Sequence, residues 1–178
     1  MIGWFKGNIK RIQSLPSYRR LTRKFLFGVD FGEASQSDLI LVQQIVNVDA
    51  AILPPDFDSG TTNYVAHIHS RLVGYVQLVR HPPENLPYYG HWLFSLQVWP
   101  CWRGMGIGEA LTLQVINQSI KEGAQELFLL VGEDNFLAIS LYEKHGFQGA
   151  LIPALEKQLE EEQQKIGKRR LLMRKALP

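Results

Sequence analysis

An α/β fold is predicted by three observations. Between residues 92 and 147, apolar runs of strand length alternate with amphipathic stretches of helical period. A glycine-rich segment, Arg103-Gly104-Met105-Gly106-Ile107-Gly108, sits at one strand-to-helix junction. The chain has 178 residues, 46% hydrophobic and 20% charged, which fits a packed core and excludes a disordered or fibrous chain.

Taken in order, residues 1–20 place Ile2, Phe5, Ile9 and Ile12 at helical spacing, with Lys6, Lys10 and Arg11 between them and Pro16 closing the pattern. This basic amphipathic segment is expected to pack on one domain spanning residues 21–178; the competing reading is contact with an anionic membrane surface. Leu21 to Val29 is β-compatible, and Ser37 or Asp38 can cap a helix through Leu39, Val42 and Ile45. Pro54, Pro55, Asp58, Ser59 and Gly60 mark a loop. Tyr64–His69 and Leu72–Arg80 then read as a hairpin turning at Ser70–Arg71.

The three prolines and two tyrosines from His81 to Gly90 make a loop of a size that often carries substrate contacts. Trp92–Trp99 is expected as a strand and Gly106–Glu122 as a helix with Ile107, Leu111, Val115 and Ile116 inward. Gly123 ends that helix, Glu126–Val131 is the next strand, and Asp134 can cap a helix through Phe136, Ile139 and Leu141 that Gly146 terminates. Phe147–Ile152 is a further expected strand, Pro153 opens a charged helix through Leu155 and Leu159, and Arg169–Leu177 is the last strand. The glutamates between Glu156 and Glu162 read as a solvated helix face.

Charge is unevenly distributed. Residues 1–29 carry seven bases and no acids, residues 30–155 five bases and thirteen acids, and residues 156–178 seven bases and four acids, for a net charge of +2. An acidic middle argues against a nucleic-acid partner and favours a cationic small molecule or peptide. No apolar run approaches the roughly 18–20 residues of a membrane span. The single cysteine, Cys101, excludes an internal disulfide and fits a reducing, cytoplasmic setting; no metal is expected.

The glycine segment carries the functional information. Amides at a helix start lack intrahelical partners, and glycines let anionic oxygens approach them. A P-loop would end in Gly-Lys-Ser/Thr, which Gly108-Glu109-Ala110 does not supply, and a dinucleotide fingerprint needs a glycine where Glu109 stands. The bland alternative is a tight turn with no ligand. Asn135 and Tyr142, seven residues apart, share one face of their helix. Asn135 can cap that helix or bind a ligand, and Tyr142 can simply pack between helix and sheet.

The pattern Arg-x-x-Gly-x-Gly, met by Arg103, Gly106 and Gly108 after Val98 and Pro100, resembles the acyl-CoA loop of the GNAT family of N-acetyltransferases. The run from Asn135 through Tyr142 to Phe147 is similar to that family's second motif, and Leu171–Lys175 to its closing strand. The resemblance implies a mixed, twisted central sheet of six to seven strands flanked by helices and splayed between two central parallel strands, Trp92–Trp99 and Glu126–Val131. It implies acetyl-CoA as cosubstrate, gripped at Arg103, Gly104, Met105, Gly106, Ile107, Gly108 and Asn135, with backbone contacts from Leu96 and Val98. It implies an amine acceptor, small molecule or peptide, and Tyr142 as general acid toward the departing thiolate; a longer acyl donor and a homodimer stay open.

The general base departs from the family pattern, since His91 to Trp102 holds no carboxylate. Candidates are Ser95, His91 and Glu84, with His67 and His69 behind them. An acetyl-cysteine relay through Cys101 is disfavoured because direct transfer needs no such residue. The missing carboxylate also leaves a second reading, a CoA-binding sensor or regulatory module without turnover.

Overall fold

The computed structural model describes residues 28–46 and 60–178. Its elements are β1 (Val29–Glu33), α1 (Gln36–Val46), β2 (Thr61–Ile68), β3 (Arg71–His81), β4 (Gly90–Val98), a 3-10 turn (Pro100–Trp102), α2 (Ile107–Lys121), β5 (Glu126–Gly132), α3 (Phe136–Lys144), β6 (Gln148–Gly149), α4 (Pro153–Ile166) and β7 (Arg170–Ala176). The strands form one mixed sheet in the order β1-β2-β3-β4-β5-β7-β6, flanked by helices. Only β4 and β5 run parallel; the other neighbours are antiparallel.

The strand expected at Leu21–Val29 lies, up to residue 27, outside the described residues, as does the basic segment 1–20; the first described strand is β1, Val29–Glu33. Asp30 and Gly32 are poor strand formers, but backbone pairing of β1 with β2 overrides their propensity. The strand expected over Phe147–Ile152 is only Gln148–Gly149. Phe147 turns into the core, and Ala150 and Ile152 leave the sheet edge to pack beneath α4, which Pro153 opens.

Each face of the sheet has its own core. On one face Ile107, Leu111, Val115 and Ile116 of α2 and Tyr142 of α3 pack on Val73, Val76, Leu78, Leu93, Leu127 and Leu129. On the other, Leu155 and Leu159 of α4 cover Trp92, Phe128 and Leu172, while Val42 of α1 covers Val65, Leu72 and Tyr75. The period-2 alternation along β3, β4 and β5 divides the apolar residues between these faces. Helix α2 sits directly on Gly74 of β3, where a Cβ would lie 3.0 Å from both Ile107 Cγ2 and Leu111 Cδ1. No helix among the described residues is long and apolar enough to cross a membrane.

The cap of α1 is Ser35 rather than Ser37 or Asp38 alone. Ser35 Oγ accepts from the Asp38 amide at 3.3 Å, and the Asp38 carboxylate accepts from the Ser35 amide and hydroxyl at 2.9 and 2.7 Å, a reciprocal capping box. Burial alone would raise the Asp38 carboxyl, but the bonds from Ser35 and from His67 hold it below the usual carboxylate range.

Candidate active site

The parallel pair β4 and β5 is joined only at His91–Leu127, Trp92–Phe128 and Leu93–Leu129. Beyond Leu93 the strands part, leaving the β4 edge from Phe94 to Val98, about 16 Å of backbone, without a strand on the β5 side. At the same level the β3–β4 register slips between Tyr75 and Gln77, and Ser95 stands in the left-handed region at φ +55°. This bulge bends the strand out of the plane that β5 keeps. Because the Trp99 amide donates to Val73 O at 3.0 Å, the backbone groups of Leu96 and Val98 face the opposite way, into the gap. The splay comes from a bulge opposite a strand that leaves to pair β7 instead.

At the open end β4 runs into the glycine loop. Gly104 (φ +79°) and Gly106 (φ +85°) are left-handed, which allows the chain to reverse into α2. Gly106 caps α2 without a side chain, so the amides of Ile107, Gly108 and Glu109 are left for an external acceptor. The buried Ile107 side chain fixes this first turn to the core. Arg103 folds back and its Nε donates to Val98 O at 2.8 Å, so the Val98 carbonyl is committed to the loop while its amide still faces the gap. A Cβ on Gly108 would meet Val98 Cγ2 at 3.6 Å and Leu141 Cδ2 at 3.8 Å, which places Gly108 in a narrow slot between β4 and α3. Glu109, an acid in the first turn of α2, is paired with Lys144 Nζ at 2.5 Å, and His145 Nε2 lies 3.3 Å from the same oxygen.

Helix α3 forms the far wall of the slot. Its cap is Asn135, whose Oδ1 accepts from the Ala138 amide at 3.2 Å, and not Asp134. The capping role occupies Oδ1 and leaves the Nδ2 donors available. Tyr142 faces inward, buried, with its ring 5.7 Å edge-on to Phe147. No protein acceptor among the described residues takes its hydroxyl, and burial pushes that hydroxyl well above the ordinary tyrosine range, so it stays protonated at neutral pH.

Of Ser95, His91 and Glu84, only Ser95 lies on the open half. His91 sits four residues earlier, about 13 Å along the strand, at the paired end. There its Nε2 meets Glu122 Oε2 at 2.9 Å, in a network where Glu122 also accepts from Arg80 at 2.6 Å and Gln118 at 2.7 Å. Glu84 is exposed on the loop at that same end. His67 is committed to Asp38 at 2.8 Å, and His69 (φ +47°) is in the hairpin turn. Cys101 is exposed in the 3-10 turn.

The Arg80 hydrogen bonds lower the Glu122 carboxyl from 4.5 to about 2. A lowered folded value means stability that is present above the ordinary pKa and lost as pH falls through the folded one. Glu122→Gln is therefore expected to melt lower than wild type at pH 7, the difference closing between pH 4.5 and about 2, as thermal denaturation across pH will show.

Several residues near the gap carry no sequence signal. On the face away from α2, the Tyr75 hydroxyl donates to Asn63 Oδ1 at 2.6 Å and Gln77 Nε2 to the same oxygen at 3.2 Å, beside the β4 bulge. The rings of His81 and Phe94 lie 6.3 Å apart on this face, with Tyr88 5.9 Å from His81. Only pairing across three strands brings these together, and no spacing along the chain reveals it.

A parallel pair that parts beside a glycine-opened helix start defines an α/β protein shaped to hold an extended ligand with an anionic end. The Acetyltransferase (GNAT) family profile matches residues 32–147, and the chain belongs to that family. It is 30% identical to an N-alpha-acetyltransferase of Sulfolobus acidocaldarius over 127 residues, 60% of this chain and 74% of that protein. It is 37% identical to a mycothiol acetyltransferase of Kocuria rhizophila over 79 residues, 44% of this chain but only 26% of that protein. The crystal structure of the ribosomal-protein-alanine N-acetyltransferase from Brucella melitensis shares the fold, with a TM-score of 0.64 and 22% identity over 83% of this chain and 99% of that one.

Proposed function

We propose that the protein transfers an acetyl group from acetyl-CoA to the primary amine of a small molecule or peptide, by direct attack within a ternary complex. The observation that carries this reading is the unpaired β4 edge, Phe94–Val98, leading into a helix start whose amides lack acceptors. The chain's residues suit the cosubstrate. The amides from Gly106 to Gly108 supply donors for a diphosphate, with Arg103, Gly104 and Met105 in the same loop. The backbone of Leu96 and Asn135 Nδ2 supply partners for the amides of the pantetheine arm, as an added strand would use them, which leaves the Val98 amide for the thioester.

Bound acetyl-CoA supplies the thioester that the amine attacks. The Val98 amide donates to its carbonyl oxygen, which favours the charge that develops there. Tyr142 donates its proton to the departing sulfur. Ser95 is the candidate on the open half for relaying the amine proton to solvent, and the acceptor amine accords with the N-alpha-acetyltransferase relative.

Thiol release from acetyl-CoA with a panel of amines and free-N-terminus peptides tests the reading; tight CoA binding without release would leave a CoA-binding sensor instead. Gly108→Val tests the slot. Any side chain at Gly106 is strained at φ +85°, whereas Gly108 is helical and valine there raises helix propensity. Its methyls would fill the space between Val98 and Leu141. The expected outcome is an unligated melting temperature near wild type and loss of the shift that CoA produces.

A further inference from the structure

Phe94 of β4 and Leu130 of β5 pack with the α4-side cluster, whose members include Trp92, Phe128 and Leu172. Arg170 is two residues before Leu172, on the same face of β7, and pairs with Gly132 of β5. Gly132 is three residues past Leu129, where β4 and β5 last touch, so Arg170 stands about 10 Å into the open half. It does not stand alone: its Nη2 donates to Glu162 Oε2 of α4, and both side chains remain partly accessible, 37% and 29% exposed. Arg170 Nε is buried without an acceptor, and Glu162 Oε1 has no hydrogen-bond partner among the described residues. Tyr88 packs against the same cluster, its ring 5.2 Å from Trp92, which in turn stacks 5.6 Å on Phe94. Burial raises the Tyr88 hydroxyl, and the fields of Arg170 and Glu162 act on it in opposite senses.

The other carboxylates near the gap are differently placed. Glu126 is tied to Arg174 at 2.8 Å at the paired end of β5, and Glu133 lies past the strand tip, 3.5 Å from Arg169. Glu162 is thus the carboxylate that the fold brings over the open half on the face that α2 and α3 leave free.

We propose that Glu162, held in place by Arg170, binds the acceptor's ammonium as it arrives, before its proton passes to solvent by way of Ser95 and the neutral amine attacks the thioester, with Tyr88 and Phe94 as walls for an apolar stem; this rests on the acetyltransferase reading above. A carboxylate oxygen accepts from an ammonium, and aromatic faces favour a cation beside them. One carboxylate among aromatic rings suits a single ammonium on an apolar group and not a polyamine. That chemistry is shared by a peptide N-terminus with an apolar first residue and by an arylalkylamine. Glu162 is a specificity-determining residue in this assignment, and Arg170 a positioning residue.

The test uses the full chain at saturating acetyl-CoA, with Phe-Ala-Ala, phenethylamine and spermidine as acceptors. Glu162→Gln is expected to raise the KM of Phe-Ala-Ala or phenethylamine about tenfold or more, since a hydrogen bond to a charged group is lost. The KM for acetyl-CoA and the thermal shift on CoA binding should not move. Arg170→Met should raise the acceptor KM as well, and Arg170→Lys should recover part of it. The lower KM of the two accepted amines tells the peptide from the small-molecule source. An unchanged acceptor KM in Glu162→Gln, or a wild-type preference for spermidine, overturns the proposal. Should wild type release no thiol with any amine, the acetyltransferase reading fails. Calorimetry of phenethylamine on the CoA-loaded protein then decides the proposal: binding lost in Glu162→Gln upholds it, and binding absent or unaffected overturns it.

Discussion

Replacing Tyr142 with phenylalanine is expected to lower kcat about a hundredfold while leaving the KM for acetyl-CoA near wild type, because a positioned acid contributes to the transition state and not to ground-state binding. Residual turnover survives because the Val98 amide and the positioning of the reactants remain. Stability should hardly change. The Tyr142 hydroxyl bonds to no protein group among the described residues, so its removal orphans nothing buried, and the ring keeps its edge-on contact with Phe147. The hydroxyl's raised pKa carries a second expectation: it stays protonated as pH rises through the ordinary tyrosine value of 10, so the wild-type rate has no falling limb from this group between pH 9 and about 11. Steady-state thiol release across that range, with melting curves for both proteins, separates the outcomes. An equal kcat in the phenylalanine variant would remove Tyr142 from the chemistry.

What could be read from the chain was local. Helix α3 and the shared face of Asn135 and Tyr142 follow from a 3.6-residue period, although Phe136 of the same apolar pattern is exposed, and the glycine loop follows from residue types that a left-handed turn requires. The open edge of β4 is different, because a pairing that stops leaves no mark on the residues that stop pairing; the family resemblance supplied it. The bulge at Ser95 was invisible for a related reason: a serine held at φ +55° looks like any strand serine in sequence. His91 was a misleading candidate because nearness along the chain to the glycine loop became distance along a strand, and Glu122 claims it at the paired end. In sequence Glu162 reads as part of a solvated face, and two neighbours, Glu160 and Glu161, are exposed. Its pairing with Arg170 depends on α4 crossing β7, which charge spacing cannot report.

Gly74 ties fold to site most directly. In sequence it is a glycine that weakens a strand, but in the sheet it is the seat of α2. A Cβ there would lie 3.0 Å from Ile107 Cγ2, 3.0 Å from Leu111 Cδ1 and 3.3 Å from Gln97 O. Valine adds two methyls to a space already too tight for one carbon, and overpacking of this kind costs roughly 1–3 kcal/mol. At about 2–4 °C per kcal/mol for a chain of this size, Gly74→Val should melt about 2–12 °C below wild type. Relief comes most easily by lifting the first turn of α2, since Ile107 and Leu111 belong to it and Gln97 is backbone-fixed. That turn carries the amides assigned to the diphosphate, so the thermal shift produced by CoA should shrink together with the unligated stability. Gly149→Val is the matched control, a strand glycine whose Cβ would meet nothing within 4 Å, and it should leave both quantities unchanged. A Gly74→Val protein that is destabilised yet binds CoA normally would show that the helix start is held independently of its seat on β3, and the coupling of packing to cofactor grip would fall with it.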